Sequence, residues 1–406
     1  MKALAERLEA IAPPIEHGEH DAGERTRSVR AIRVLRVSVV QFLLVELRVL
    51  CAPMLRLLGF GGALVAVLAL GSPAPPKAVH ASAPAVIADA PRVAILATAG
   101  ERTALHVVRA GESLSAPIAS FTHREGSVRG ALLPDGSVLA AAPHATDRDR
   151  SFDGGLWRLS SDRVVWLCDG LLHASRPLVT PDGRVFAVRG RAGAARDERS
   201  MRVDELTLDR IDPESGAVDT LHHDQGYLLH IAGWHDGRVL VYRVAPNRAD
   251  IVAIDATTGT VQMLVDDLPP FARDFSVLDD RLVYRGRHER ESRTWVVDVI
   301  DLARGTRRRI HESASFALAP HAWPDGAVAL SPDQSGLALL GSMDRIRAPL
   351  GSGVDVVRAL RGRFVALLHT RERAFEFPFL LDRTTGKSHP LPAPGRTRVD
   401  IVGFMP

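Results

Sequence analysis

The chain has 406 residues, 46% hydrophobic and 24% charged, a balance that supplies a large core and excludes an intrinsically disordered protein. The net charge of +3 is unevenly placed: residues 1–81 hold ten Lys/Arg and seven Asp/Glu, which leaves 41 of each in residues 82–406. That neutral remainder has no basic footprint for a phosphate backbone, so nucleic acid is excluded as a partner.

In chain order, residues 1–53 mix charges of both signs, with a Pro13-Pro14 pair and an arginine ladder at Arg27, Arg30, Arg33 and Arg36. The apolar stretch 37–45 is broken by Glu46 and Arg48 and is too short to span a bilayer. A different pattern starts at Met54. Met54-Leu55-Arg56 is a short positive start, residues 57–70 are fourteen uncharged residues, and Val79-His80-Ala81 offers a small-residue cleavage site before Ser82. This is the order of regions in a secretory signal peptide, expected over 54–81. Residues 1–53 then read as an upstream extension of the reading frame, with Met54 as the start. The alternative is a signal anchor, in which residues 57–70 tether the protein to the inner membrane and the arginines hold residues 1–56 inside. Either way the rest of the chain is exported, to the periplasm or beyond. Residues 82–91 close a Pro/Ala-rich spacer that begins near residue 72. Of two cysteines, Cys51 and Cys168, only Cys168 survives cleavage, which excludes a disulfide framework and a thiolate zinc site.

From residue 92 onward the chain repeats itself. One element is a tight turn feeding an apolar strand: Pro134-Asp135-Gly136, Pro181-Asp182-Gly183, His235-Asp236-Gly237, Asp279-Asp280, Pro324-Asp325-Gly326 and Arg361-Gly362. Two-residue hairpins need positive φ, which Gly adopts freely and Asp tolerates. The other is a hairpin of the form Asp-x-x-x-Gly, at Asp212–Gly216, Asp255–Gly259, Asp301–Gly305 and Asp382–Gly386, with weaker copies at Arg109-Ala110-Gly111 and Ser160-Ser161-Asp162. In the unit opened by Pro324, Asp333-Gln334-Ser335-Gly336 is expected to replace it.

Gly216 and Gly259 stand 43 residues apart, Gly259 and Gly305 46, and Gly305 and Gly386 81, or two units near 40, each the length of four short strands. The expected fold is therefore all-β: a seven-bladed β-propeller of four-stranded antiparallel blades over residues 92–406. The first unit begins at Arg92-Val93-Ala94 and lacks the strand that precedes the turn in later units. The last segment, Val399-Asp400-Ile401-Val402-Gly403-Phe404, matches Leu229-His230-Ile231-Ala232-Gly233-Trp234. The C-terminal strand is therefore expected to join the first blade and close the ring.

These turns resemble those of TolB-like and WD-repeat-like propellers of bacterial exported proteins, across residues 92–406. The Trp-Asp and Gly-His motifs of true WD repeats do not recur, so the resemblance implies the broad superfold and no particular activity.

Candidate chemistry is sparse. The segment 253–259 resembles the docking motif of quinoprotein propellers, but Met263 stands where that motif needs Trp, and we read it as a hairpin. The segment 151–157 resembles an Asp-box one residue short, again a turn. His222-His223-Asp224 is the tightest set of metal-ligand types, yet adjacent strand residues face opposite ways. No Gly-x-Ser-x-Gly elbow is present for a serine hydrolase. The polar excursions 143–154 and 190–205 are the candidate binding loops, carrying Asp147, Arg148, Asp149, Arg150, Arg191, Arg196, Asp197, Glu198 and Arg199. The expected function is a monomeric, non-catalytic module without cofactor that binds a protein or glycan partner. The alternative is a propeller enzyme, a metal-assisted hydrolase or lactonase, with calcium or zinc held by carboxylates in the central channel.

Overall fold

The computed structural model describes residues 89–406, apart from 145–150, 194–201, 247, 269–270, 289–292, 315–317, 332–335, 342–344, 348–352, 372–374 and 396. The expectations for residues 1–88, including the signal segment and Met54, lie outside the described residues.

The described residues form an all-β propeller of antiparallel sheets, with two short 3-10 turns and no α-helix among them. None of its helices is long and apolar enough to cross a membrane. The strands follow in order: β1 (Val93–Ala99), β2 (Arg102–Val108) and β3 (Ala119–Thr122); β4 (Arg129–Leu132), β5 (Val138–Pro143), β6 (Gly154–Leu159) and β7 (Val164–Leu171); β8 (Leu178–Val179), β9 (Val185–Arg191), β10 (Asp204–Ile211) and β11 (Val218–Gly226). Then come β12 (Leu228–His235), β13 (Arg238–Ala245), β14 (Arg248–Asp255) and β15 (Val261–Val265), followed by β16 (Arg273–Leu278), β17 (Arg281–Arg287), β18 (Trp295–Asp301) and β19 (Thr306–Ser313). The last groups are β20 (His321–Ala322), β21 (Val328–Leu330), β22 (Leu337–Leu339) and β23 (Arg345–Arg347), then β24 (Val354–Arg361), β25 (Phe364–Arg371), β26 (Phe375–Asp382) and β27 (Ser388–Pro390), and finally β28 (Arg398–Phe404).

β28 returns to β1, pairing Thr98 with Arg398 through Val93 with Phe404, and completes a four-stranded sheet β28-β1-β2-β3. Four further sheets have four strands each, beginning at β12, β16, β20 and β24. The remaining strands, β4–β11, form one eight-stranded sheet where two separate blades were expected. The join is slight: Leu171 of β7 pairs with Arg189 of β9, beyond the short β8, which covers only residues 185 and 186 of β9. Because β8 has two residues, the far end of β9 is left open to β7.

Apolar side chains fill the gaps between successive sheets. Val239-Leu240-Val241-Tyr242 are all 2% exposed or less, because a strand in the middle of a blade is covered on both faces. Alternation along β17 sends Leu282 and Tyr284 toward β12–β15 and Val283 toward β20–β23. Leu139, Leu156, Val185 and Ile211 form a cluster between the two halves of the eight-stranded sheet. Ile95, Leu368, Leu380 and Ile401 join the last sheet to the first.

The turn chemistry read from the sequence has a visible mechanism. Asp236 and Gly237 have φ of 44° and 75° between β12 and β13, as a primed two-residue turn requires. In the later hairpin, Asp255 Oδ1 accepts the amides of Thr257 and Thr258 at 2.9 and 2.7 Å. Those hydrogen bonds hold its carboxyl below the usual range. Gly259 has φ of 71°, and a Cβ there would sit 2.4 Å from the Leu221 carbonyl of the preceding sheet. The glycine thus serves both the turn and close approach of the next blade. The segments 151–157 and 253–259 accordingly sit as a strand lead-in and a hairpin.

One hairpin expectation is corrected. Gly336 precedes β22, so 333–336 lies between the second and third strands of its sheet, and the third-to-fourth connection follows Leu339 instead. Asp333, Gln334 and Ser335 themselves lie outside the described residues.

Candidate functional site: the channel mouth and a groove beside β9–β11

In the sheets β12–β15 and β16–β19, the Asp-containing turns join strands one to two and the Asp-x-x-x-Gly hairpins join strands three to four. The connections between second and third strands must therefore emerge at the opposite end. Both expected binding loops, β5–β6 and β9–β10, are of this kind. Asp147, Arg148, Asp149, Arg150, Arg196, Asp197, Glu198 and Arg199 lie outside the described residues. Arg191 is described, and the expectation of a loop residue is corrected: it ends β9, in register with Glu205 of β10, whose carboxylate it pairs with. Its side chain is 78% exposed and that of Glu205 48%, so the pair is a solvated rim contact.

The loop base is held by buried carboxylates. Gly193 N donates to Asp204 Oδ1 at 3.0 Å. In the other loop, Arg124 Nη1 donates to Asp153 Oδ2 at 3.1 Å. Beside β9–β11 an open groove of about 570 Å³ is lined by Arg191, Glu205, Thr207, His223, Asp224 and Gln225. Its floor is Asp209, 1% exposed, which accepts from Arg189 at 3.1 Å and from Thr207 and Thr220 at 3.0 and 2.8 Å. A carboxylate so fully bonded braces three strands and is not free for chemistry. His223 lines this groove while His222 does not, and the buried His222 Nε2 has no hydrogen-bond partner. Burial holds the His222 ring below its ordinary pKa. The two histidines do not converge, and no group of three or more His, Cys, Asp or Glu among the described residues is arranged to hold a metal.

A second set of groups meets where the first strands of four neighbouring repeats approach one another. Asp400, from β28, is 3% exposed. Its Oδ2 accepts Gly130 N of β4 at 2.8 Å, and its Oδ1 accepts Arg176 Nη2 at 2.5 Å, with Arg129 Nη1 at 3.8 Å. Arg176 also donates to the Gly130 carbonyl. Glu376, from β26, accepts the Val399 amide at 2.9 Å. Arg358 of β24 stands within electrostatic reach of Arg176, Asp400, Arg129 and Glu376. His321 of β20 also feels Arg358; burial pushes its pKa down to about 4, and its Nδ1 hydrogen-bonds the Ala322 carbonyl at 2.7 Å, so the ring is neutral at physiological pH. A cavity of about 180 Å³ opens against this cluster, lined in part by Thr98, Ser127, Arg129, Glu376 and Asp400. Both carboxylates here are engaged, and the cationic side chains that line the cavity beside them are Arg129 and Arg398.

Sequence reasoning missed this cluster because its members stand at 129, 176, 358, 376 and 400 with no motif between them. One signal was present: Arg358 breaks the apolar run Val356-Val357-Arg358-Ala359.

Cys168 on β7 is buried, and desolvation pushes its thiol pKa up to about 11. Native protein at pH 8 is expected to leave this thiol unreacted toward a colorimetric thiol reagent for hours, with full reaction only after denaturation; rapid native labelling would contradict the burial.

No protein-family profile and no curated protein matches the chain. Among solved structures, it is similar to TolB from Acinetobacter baumannii at 14% identity, over 77% of this chain and 67% of that one, with a TM-score of 0.45. An oligogalacturonate lyase solved in complex with manganese shares 12% identity over 71% of this chain and 70% of that one, TM-score 0.40. The acylaminoacyl peptidase of Pyrococcus horikoshii shares 13% identity over 73% of this chain but only 52% of its own length, TM-score 0.45. TolB, one of the propeller types that the turns resemble, is thus among the similar structures.

Proposed function

We propose that this chain is an exported, monomeric, non-catalytic β-propeller that binds a protein or glycan partner at the end of the ring opposite the Asp-Gly turns. The eight-stranded sheet counts as two blades in this reading, which makes seven. The single pairing between its halves and the apolar cluster separating them support that count. Export is supported by the signal-like order of residues 54–81.

The observation that carries the binding reading is the character of the channel mouth. A metal-assisted hydrolase needs free, converging carboxylates, Asn or His side chains around a divalent cation. Here Asp400 and Glu376 are already bonded, and Arg129, Arg176 and Arg358 surround them. Three guanidinium groups repel a cation and favour an anionic feature of a partner. Elemental analysis of the purified full chain is expected to find no stoichiometric calcium or zinc after dialysis. Either metal at one per chain overturns the reading in favour of the enzyme.

A further inference from the structure

Two open grooves adjoin at the end of the ring where the β24–β25 turn lies. One, of about 680 Å³, runs between the residues leading into β1 and that turn, and is lined in part by Arg92, Arg109, Arg361 and Arg363. The other, of about 560 Å³, is lined in part by Trp323, Arg363 and Arg383. Both include Gly362 and Arg363, so five arginines border one stretch of surface. Among the described residues, Asp89 is the one acidic side chain in either lining. Two of the five arginines are answered: Arg363 Nη2 meets Asp89 Oδ2 at 2.6 Å, and Arg109 Nη1 meets Glu112 Oε1 at 3.5 Å. Among the described residues, the chain end at Pro406 included, no carboxylate pairs with Arg92, Arg361 or Arg383. Arg361 and Arg383 donate through Nη1 to the carbonyls of Met405 and Gly362 instead. Two of the guanidinium groups also rest on aromatic rings, Arg383 at 5.2 Å over Trp323 and Arg363 at 4.8 Å over Phe364. The Arg383 amide donates to the Arg363 carbonyl at 2.8 Å, which ties the two together. A ring beneath a guanidinium restrains it and leaves its N–H fork for an anion.

We propose that the two grooves form a docking strip for an acidic peptide segment of a partner, with one carboxylate on Arg383 and another against Arg92 and Arg361. The strip lies away from the loop end of the ring and does not rest on the reading given there. The chain supplies its own precedent for the contact: Asp89, in the residues leading into β1, already seats a peptide carboxylate on Arg363 in this groove. A carboxylate matches the planar fork of a guanidinium, and three such forks remain unanswered. A glycan fits less well. Trp323 and Phe364 are 4% and 7% exposed and each stands under a guanidinium, so neither offers a sugar an open face. A bilayer also fits less well, because none of the exposed large apolar side chains lines either groove and nothing there would enter the lipid.

The test is calorimetric titration of the full chain at constant ionic strength. The probes are a capped peptide of three Gly-Glu repeats, the same peptide with Gln for Glu, trigalacturonate, inorganic phosphate, and phosphatidylglycerol vesicles. The glutamyl peptide is expected to bind saturably at one site per chain and more weakly as salt is raised, and its glutamine counterpart not at all. Arg92→Gln and Arg383→Gln should each weaken that binding on the order of tenfold, as loss of a charge-assisted pair implies. Arg383→Lys should recover only part of the loss, since an ammonium keeps the charge without the fork. Arg308→Gln, an exposed arginine of β19 that lines neither groove, should bind as the wild type does. Absent binding, equal binding of the two peptides, undiminished binding in either folded variant, or an equal loss in Arg308→Gln overturns the strip. Tighter binding of trigalacturonate, phosphate or the vesicles overturns the peptide as its occupant. Should Arg383→Gln fail to fold, Arg92→Gln, at an exposed position, still decides.

Discussion

Ending the chain after Gly395 is expected to abolish cooperative unfolding altogether, because it removes β28 and reopens the ring. Val399, Ile401 and Val402, 2%, 0% and 9% exposed, would leave the cores they share with Ile95, Leu368 and Leu380 on one side and Leu96, Val138 and Trp157 on the other. Each buried aliphatic side chain contributes about 1.5–3 kcal/mol. The lost ladder with β1 spans six residue pairs, whose hydrogen bonds contribute about 1 kcal/mol apiece. That total is as large as the whole stability of a typical domain, about 5–15 kcal/mol. β1 would also present a bare edge to other chains. Near-UV circular dichroism should lose its native signal, and size-exclusion chromatography should show association. A truncated chain with the melting temperature of the full protein would show that closure by β28 is dispensable.

Asp400→Ala is expected to destabilise the fold more than any other single substitution at the channel mouth, by about 2–4 kcal/mol in urea unfolding. The carboxylate satisfies the Gly130 amide at 2.8 Å and Arg176 at 2.5 Å, and its removal leaves a buried donor unpaired and takes away the carboxylate that Arg176 and Arg129 pair with. The side chains of Arg176 and Arg129 are 34% and 37% exposed, so solvent relieves part of the penalty and keeps the figure below that for a fully enclosed pair. Asp400→Asn keeps an oxygen for Gly130 but not the charge, and should cost roughly half as much. If both variants melt with the wild type, Asp400 does not knit the first strands together.

Much of the ring was legible in the sequence because its turns are local. A hairpin that needs positive φ selects Gly or Asp by backbone sterics alone, and the Asp-x-x-x-Gly motif is closed by its own carboxylate. Even the match between the last segment and residues 229–234 carries into three dimensions: the β12 register skips Ala232 just before Gly233, and the β28 register skips Val402 just before Gly403. What stayed hidden was set by distance. The merging of two units into one sheet depends on β8 being only two residues long, which leaves Leu171 facing Arg189. The channel-mouth cluster depends on first strands from separate repeats meeting at the axis, a relation that no spacing along the chain encodes. The candidate loops were recognised by polarity, and Arg191 shows the limit of that signal: an exposed strand end reads as polar as a loop does.

The return of β28 to β1 also sets an order of events. The first sheet cannot be finished until β28 is free to pair, so until then β1 waits with an unfilled partner position. Such a long-range pairing makes folding slow and leaves the nascent chain exposed to mispairing until the end. A tag or fusion at the N-terminal side of residue 89 would leave this step intact, whereas an extension fused at Pro406 would have to be carried to the seam at the moment it seals.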